Sequence, residues 1–174
     1  MKYYLFLVLI LLSNVYAGES KSSDKSKLFL GVGSGSGSVT AMRLSKQDII
    51  SHNSSFGFDY LSDIGVSYWK DDTLETGLNK QKSSNFSISY SRILRKYITN
   101  NIFFDTGLGL SLHSEDSIGG RDLGSHYQFE SRVGLGYERL TYRSVLSMYH
   151  YSNGGTNGKN QGMNVFMLNV SKYF

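Results

Sequence analysis

Apolar and polar side chains alternate along this chain in runs of ten residues or more. From Ser55 to Trp69, Phe56, Phe58, Tyr60, Ile64, Val66 and Tyr68 share one face, while Gly57, Asp59, Asp63, Gly65 and Ser67 share the other. From Ser84 to Ile93, Phe86, Ile88 and Tyr90 stand against Asn85, Ser87, Ser89 and Ser91. Between Asn101 and Leu112, Ile102, Phe104, Leu108, Leu110 and Leu112 form the apolar set. The next run switches parity: Tyr127, Phe129, Val133, Leu135 and Tyr137 oppose His126, Gln128, Glu130, Arg132, Gly134 and Gly136. Tyr142 to Ser152 and Gly162 to Phe174 complete six predicted strands, and the Gly-rich stretch LFLGVGSGSGSVTAMRL is left to supply two more.

A soluble sandwich alternates in the same way, with its polar face in water and its apolar face against a second sheet. Two features favour a membrane barrel. The runs have the length a tilted strand needs to cross a bilayer, and their polar faces mix Gly and Ser with opposite charges such as Glu130 and Arg132, able to pair inside a narrow lumen. Short links near Arg95–Asn100 and Glu138–Thr141 alternate with longer ones at Lys70–Ser83, His113–Ser125 and Asn153–Gln161, as periplasmic turns and extracellular loops do, and the chain ends on Tyr173 and Phe174. The expected fold is all-β, an eight-stranded antiparallel transmembrane β-barrel of the outer membrane, because single-chain bacterial barrels have even strand numbers.

Composition narrows the class further. Met1–Ala17 has a Lys near its start, an apolar run from Leu5 to Leu12 and a small residue at its end, which reads as a secretory signal; residues 18–26 form a short N-terminal segment and 27–174 the barrel domain. There is no Cys, so disulfides, thiol catalysis and Cys-ligated zinc are excluded. His52, His113 and His126 are scattered without ligand spacing and read as loop or strand-end residues, so no metal and no cofactor are expected. The net charge of +4 raises nucleic acid as a partner. For a secreted barrel the nearer acidic partner is the phosphate of outer-leaflet lipid headgroups, and Lys80, Lys82, Arg121 and Lys159 fall in the expected extracellular loops, where a solvated surface explains them equally well. Trp69, Tyr68, Tyr149 and Tyr151, near outer strand ends, are taken as interfacial aromatics.

The candidate chemistry lies at the outer end of the strand Tyr142–Ser152. His150 and Ser152 are two residues apart and project on one face, which also carries Tyr142, Leu146 and Met148, so they look towards lipid. With the following loop centred on Asn157, position 150 faces position 164 across the hairpin. Asn164 then lies beside His150, where its side-chain oxygen can accept the Nδ1–H and leave Nε2 to take the Ser152 proton.

The segment HYSNGGTNGKNQGMN, His150 to Asn164, resembles the active-site signature of PagL-type lipid A 3-O-deacylases, in which His and Ser of an HxSN motif act with a downstream Glu. DIGVSYW (Asp63–Trp69) and GGRDLGSHYQFESRVGLGYE (Gly119–Glu138) are similar to further strands and loops of that family. The resemblance implies hydrolysis of the acyl ester at position 3 of the lipid A glucosamine, with lipopolysaccharide in the outer membrane as substrate. It implies His150 as base and Ser152 as nucleophile, and Asn153 with the loop backbone near Gly155 as oxyanion donors. The family's Glu falls on Asn164; Glu130 and Glu138, the acids on adjacent strands, are placed in the lumen by parity. Two other readings accompany this one: a structural surface barrel without hydrolytic activity, and an acyltransferase. A homodimer is compatible with all three.

Overall fold

The alternating runs close into a barrel. The computed structural model describes residues 26–36, 38–53, 56–71, 84–140 and 142–172; the signal Met1–Ala17, nearly all of the segment 18–26, Lys80, Lys82, Tyr173 and Phe174 lie outside them. The strands are β1 (Lys27–Gly35), β2 (Val39–Asn53), β3 (Phe58–Asp71), β4 (Ser84–Tyr97), β5 (Ile102–His113), β8 (Tyr127–Arg139), β9 (Tyr142–Ser152) and β10 (Met163–Lys172), with β6 (Ser117–Ile118) and β7 (Arg121–Asp122) as a short hairpin between β5 and β8. Eight strands form a closed sheet in the order β1-β10-β9-β8-β5-β4-β3-β2, and every neighbouring pair is antiparallel. The Gly-rich stretch thus supplies β1 and the start of β2. Closure leaves no unpaired edge, the condition for a sheet in hydrocarbon.

The molecule is inverted relative to a water-soluble domain. Leu28, Leu30, Val66, Phe86, Leu112, Leu135, Leu146 and Phe166 stand on the outer wall and are exposed, while Arg43, Asp63, Arg95, Asp105, Glu130 and Arg132 are buried inside it. An exposed apolar wall around a charged interior is stable only when lipid surrounds it. The interior charges balance. Arg43 bonds Asp63 at 2.7 Å and Glu130 at 3.4 Å, Arg95 bonds Asp105 at 2.8 Å, and Arg132 reaches Asp63 at 3.3 Å. Glu130 and Arg132 therefore do not pair with each other: two residues apart on β8, each finds its partner across the lumen, where oppositely directed side chains meet end to end.

Three further details depart from the sequence reading. Strand β2 continues to Asn53, because a register shift between Ile49 and Ser51 absorbs one residue and keeps Ser51 inside, so that Phe56 falls in the turn instead of β3. The β5–β8 link is not a plain loop: Gly119 and Gly120, both at positive φ, make the two-residue turn of the β6–β7 hairpin. Finally, Trp69, Tyr149 and Tyr151 are not interfacial. They point into the lumen and, with Ile118, Leu123, Met163, Val165 and Met167, form an apolar cluster that fills its outer half. Of the four aromatics only Tyr68 lies on the outer wall. Burial of these rings away from lipid follows from strand parity, and the hairpin residues Ile118 and Leu123 cover them.

A candidate active site on the lipid-facing wall

β9 carries two sets of side chains with opposite duties. Tyr149 and Tyr151 point inward, where the Tyr149 hydroxyl accepts a hydrogen bond from Arg132 at 3.2 Å and Tyr151 donates to Glu130 at 3.0 Å. These bonds hold the outer end of the strand from within. His150 and Ser152, the alternate residues, are half-buried on the outer wall. The apolar wall around them includes Met148 on the same strand and Phe166 on β10, which pair with one another.

The register sets the neighbours. His150 lies between Ser131 on β8 and Asn164 on β10. Ser152 lies beside Phe129 and, one rung beyond the Tyr151–Met163 pair, opposite Gly162. Nδ1 of His150 is 2.7 Å from Oδ1 of Asn164. With that oxygen as acceptor, Nδ1 carries the proton and Nε2 keeps its lone pair. The other side of the ring leans over Gly162, where a Cβ would lie 3.2 Å from His150 Cε1 and 3.8 Å from Nε2. The imidazole therefore spans two rungs, from Asn164 on one to the rung of Ser152 on the next. Gly162 has φ +59, so both the backbone and the ring above it call for glycine. Asn164 is fixed in turn from the turn after β1: its N–H donates to Ser36 Oγ at 3.3 Å and its carbonyl accepts the Ser36 N–H at 3.0 Å. The Ser152 hydroxyl has no hydrogen-bond partner among the described residues and is free to meet a ligand.

The β9–β10 loop is built around Asn153. This side chain is fully buried; its Nδ2 donates to the carbonyls of Leu123 at 2.9 Å and Lys159 at 2.6 Å, and its Oδ1 accepts the Gly155 N–H at 2.8 Å. Its own N–H donates to Asn160 Oδ1 at 3.2 Å. The loop is also tied to the β6–β7 hairpin by Gln161, whose side-chain oxygen takes the Asp122 N–H at 2.8 Å, and by the Lys159–Asp122 ion pair at 2.9 Å. Gly124 makes this contact close, since a Cβ there would fall 2.0 Å from the Lys159 carbonyl oxygen. The Asn153 side chain and the Gly155 N–H are thus engaged in shaping the loop. The N–H of Gly154, two residues after Ser152 and at φ +67, has no partner among the described residues.

Glu130 and Glu138 stay away from the imidazole. Glu130 accepts bonds from Ser91, Arg43 and Tyr151 inside the barrel, and Glu138 pairs with Arg143 at 2.6 Å at the opposite end of β9. The hairpin register expected from the sequence also sets position 162 opposite Ser152, but the packing of the His150 ring over Gly162 was not foreseen, and Ser36 and Ser131 were missed as neighbours of the site. Among the described residues no cluster of His, Asp and Glu has the spacing to hold a metal.

Fold and site together define an outer-membrane β-barrel that carries His150, bonded to Asn164, and Ser152 on its lipid-facing wall. The chain belongs to the lipid A 3-O-deacylase (PagL) family, whose model matches residues 41–173. It is similar to the lipid A deacylase PagL of Pseudomonas aeruginosa, 29% identical over 110 residues that cover 61% of this chain and 60% of that protein. It is also similar to the lipid A deacylase PagL of Bordetella bronchiseptica, 24% identical over 117 residues covering 67% and 63% respectively. The chain thus spans about three-fifths of the length of these curated relatives. Its fold matches the crystal structure of the outer membrane enzyme PagL with a TM-score of 0.72 at 22% identity, over 85% of this chain and 99% of that one.

Proposed function

We propose that this barrel hydrolyses the ester-linked acyl chain at position 3 of the lipid A glucosamine in outer-leaflet lipopolysaccharide, with Ser152 as nucleophile, His150 as base and Asn164 as the group that orients the imidazole. The observation that carries this reading is the placement of the His150 ring, bonded to Asn164 on one side and leaning towards the rung of Ser152 on the other, on a wall that faces lipid. Polar side chains there are costly unless the ligand is itself a lipid.

In this mechanism Ser152 Oγ attacks the acyl carbonyl while His150 Nε2 takes its proton. The tetrahedral intermediate places its negative oxygen at the start of the loop, where the unengaged Gly154 N–H is the available donor and Asn153 acts by shaping the turn. Collapse breaks the ester bond, and His150 returns the proton to the departing glucosamine hydroxyl. Water then attacks the acyl-enzyme, giving its proton to His150 as the new bond forms, and collapse breaks the bond to Ser152 Oγ, which takes that proton back from His150 as free fatty acid leaves. Asn164 holds the required tautomer but, being neutral, does not offset the imidazolium charge that develops. The array is therefore slower than one with a carboxylate.

Expression in a Gram-negative host, followed by mass spectrometry of extracted lipid A, tests this directly. Loss of one hydroxyacyl chain, abolished by Ser152→Ala, is the expected result. Unchanged lipid A from folded protein refutes it, and an acyl group transferred to a second lipid identifies an acyltransferase instead.

A further inference from the structure

We propose that Arg121 binds a phosphate group of the lipid A glucosamine, anchoring the headgroup beside Ser152; this rests on the deacylase reading above. Arg121 opens β7 and reaches across to the end of the β9–β10 loop, where its Nη1 donates to the carbonyls of Gln161 at 3.2 Å and Gly162 at 3.1 Å. Those two bonds use both hydrogens of one terminal nitrogen and fix the plane of the guanidinium. The Nε–H and both hydrogens of Nη2 have no partner among the described residues. They form the side edge through which a guanidinium grips two oxygens of one phosphate.

The surroundings position the cation without neutralising it. Both partners are neutral carbonyls. The adjacent Asp122 is engaged by Lys159 at 2.9 Å and by the Gly124 N–H at 2.9 Å, and Glu115 and Asp116 of the same loop make no ion pair with Arg121. The half-buried side chain also has a fixed relation to the site, because the residue whose carbonyl it holds, Gly162, is the one over which the His150 ring lies. A single sugar ring bearing both an acyl ester and a phosphate presents the two groups to such a pair. The ligand class is a phosphomonoester on a sugar headgroup, and adjacency to Ser152 selects the glucosamine phosphate over a general anionic lipid.

The test measures binding of bisphosphorylated lipid A, and of the same lipid lacking the phosphate on the deacylated glucosamine, to the folded barrel in uncharged detergent micelles. Heat-modifiable gel migration monitors folding. Arg121→Gln is expected to weaken binding of the phosphorylated lipid about tenfold and to leave the dephosphorylated one nearly unchanged. Arg121→Lys, which keeps the charge but lacks the planar fork, recovers only part of the loss. Equal losses on both lipids, or none on either, overturn the proposal, and so does displacement of lipid A by phosphatidylglycerol or inorganic phosphate at equal concentration. Hydrolysis by the wild type separates the two readings: phosphate-dependent binding without hydrolysis removes the deacylase and keeps the anchor, whereas hydrolysis indifferent to the phosphate removes the anchor alone.

Discussion

Asn164 and Gly162 divide the work of placing one imidazole, and they fail in different ways when changed. Asn164 supplies an acceptor for Nδ1 but no charge, so Asn164→Glu is expected to raise kcat by about tenfold or more, short of the roughly 10⁴ that separates acid from amide in a Ser–His–Asp triad, where the amide also imposes the wrong tautomer. Single-turnover deacylation measured beside Ser152→Ala checks this; an unchanged rate in folded Asn164→Glu protein would show that imidazole charge is not what limits the reaction. Gly162→Ala acts by displacement. Its Cβ would meet His150 Cε1 at 3.2 Å at a backbone φ of +59, and the ring has to give way. Because a misplacement of about 1 Å costs about a hundredfold in a reacting array, kcat is expected to fall by one to two orders of magnitude while the protein still folds.

The element that connects the site to the rest of the outer end is the β9–β10 loop, bolted to the β6–β7 hairpin. Asn153→Ala removes three hydrogen bonds from a buried position, leaves the Lys159 carbonyl and the Gly155 N–H without their Asn153 partner and leaves the Leu123 carbonyl only its bond from Gln128 at 3.3 Å, a local cost of about 1–3 kcal/mol for each group left unsatisfied. Faster proteolytic nicking between residues 153 and 162, with reduced deacylation, is the expected outcome. The Lys159–Asp122 pair adds a pH signature. The hydrogen bond from Lys159, helped by the Gly124 N–H, holds the exposed Asp122 carboxyl below its usual range, and the same bond raises Lys159 above its own. A lowered acid stabilises the docked loop above the carboxylate's unfolded value of about 3.9 and loses that contribution as pH falls through its folded value; a raised base loses its contribution only as pH climbs past about 10.4. Loop protection against protease is therefore expected to be level between these limits, to drop in acid, and to weaken in high salt, because both groups are solvent-exposed. Much of this scale was readable beforehand. Alternation located the barrel strands, and a loop centred on Asn157 placed His150 opposite Asn164. The hairpin's docking, the inward use of Asn153 and the Ile49–Ser51 irregularity were not readable, because each depends on contacts between segments far apart in sequence, which carry no local period.

For the barrel as a whole, the lumen is filled by buried side chains whose opposite charges are set against one another. Asp63 faces Arg43 at 2.7 Å and Arg132 at 3.3 Å, so Asp63→Asn leaves two buried guanidinium groups short of a counter-charge and is expected to destabilise the barrel by about 3–5 kcal/mol. Urea unfolding in lipid vesicles, read by gel mobility, measures it, and Arg43→Met added to Asp63→Asn should recover part of the loss. Balanced charge was legible as a mixture of signs on the polar faces, but the pairing was not: Glu130 and Arg132, neighbours on one face of β8, each bond across the lumen because they point the same way. With that interior filled and His150 and Ser152 on the outer wall, nothing reaches the site through the barrel. On the proposed deacylase reading, substrate would arrive and products depart by lateral diffusion, and the concentration that matters would be a mole fraction within one leaflet. Diluting lipid A with inert lipid at constant bulk concentration should slow the reaction as surely as removing it from solution slows a soluble enzyme, so that membrane composition itself becomes a rate-setting variable.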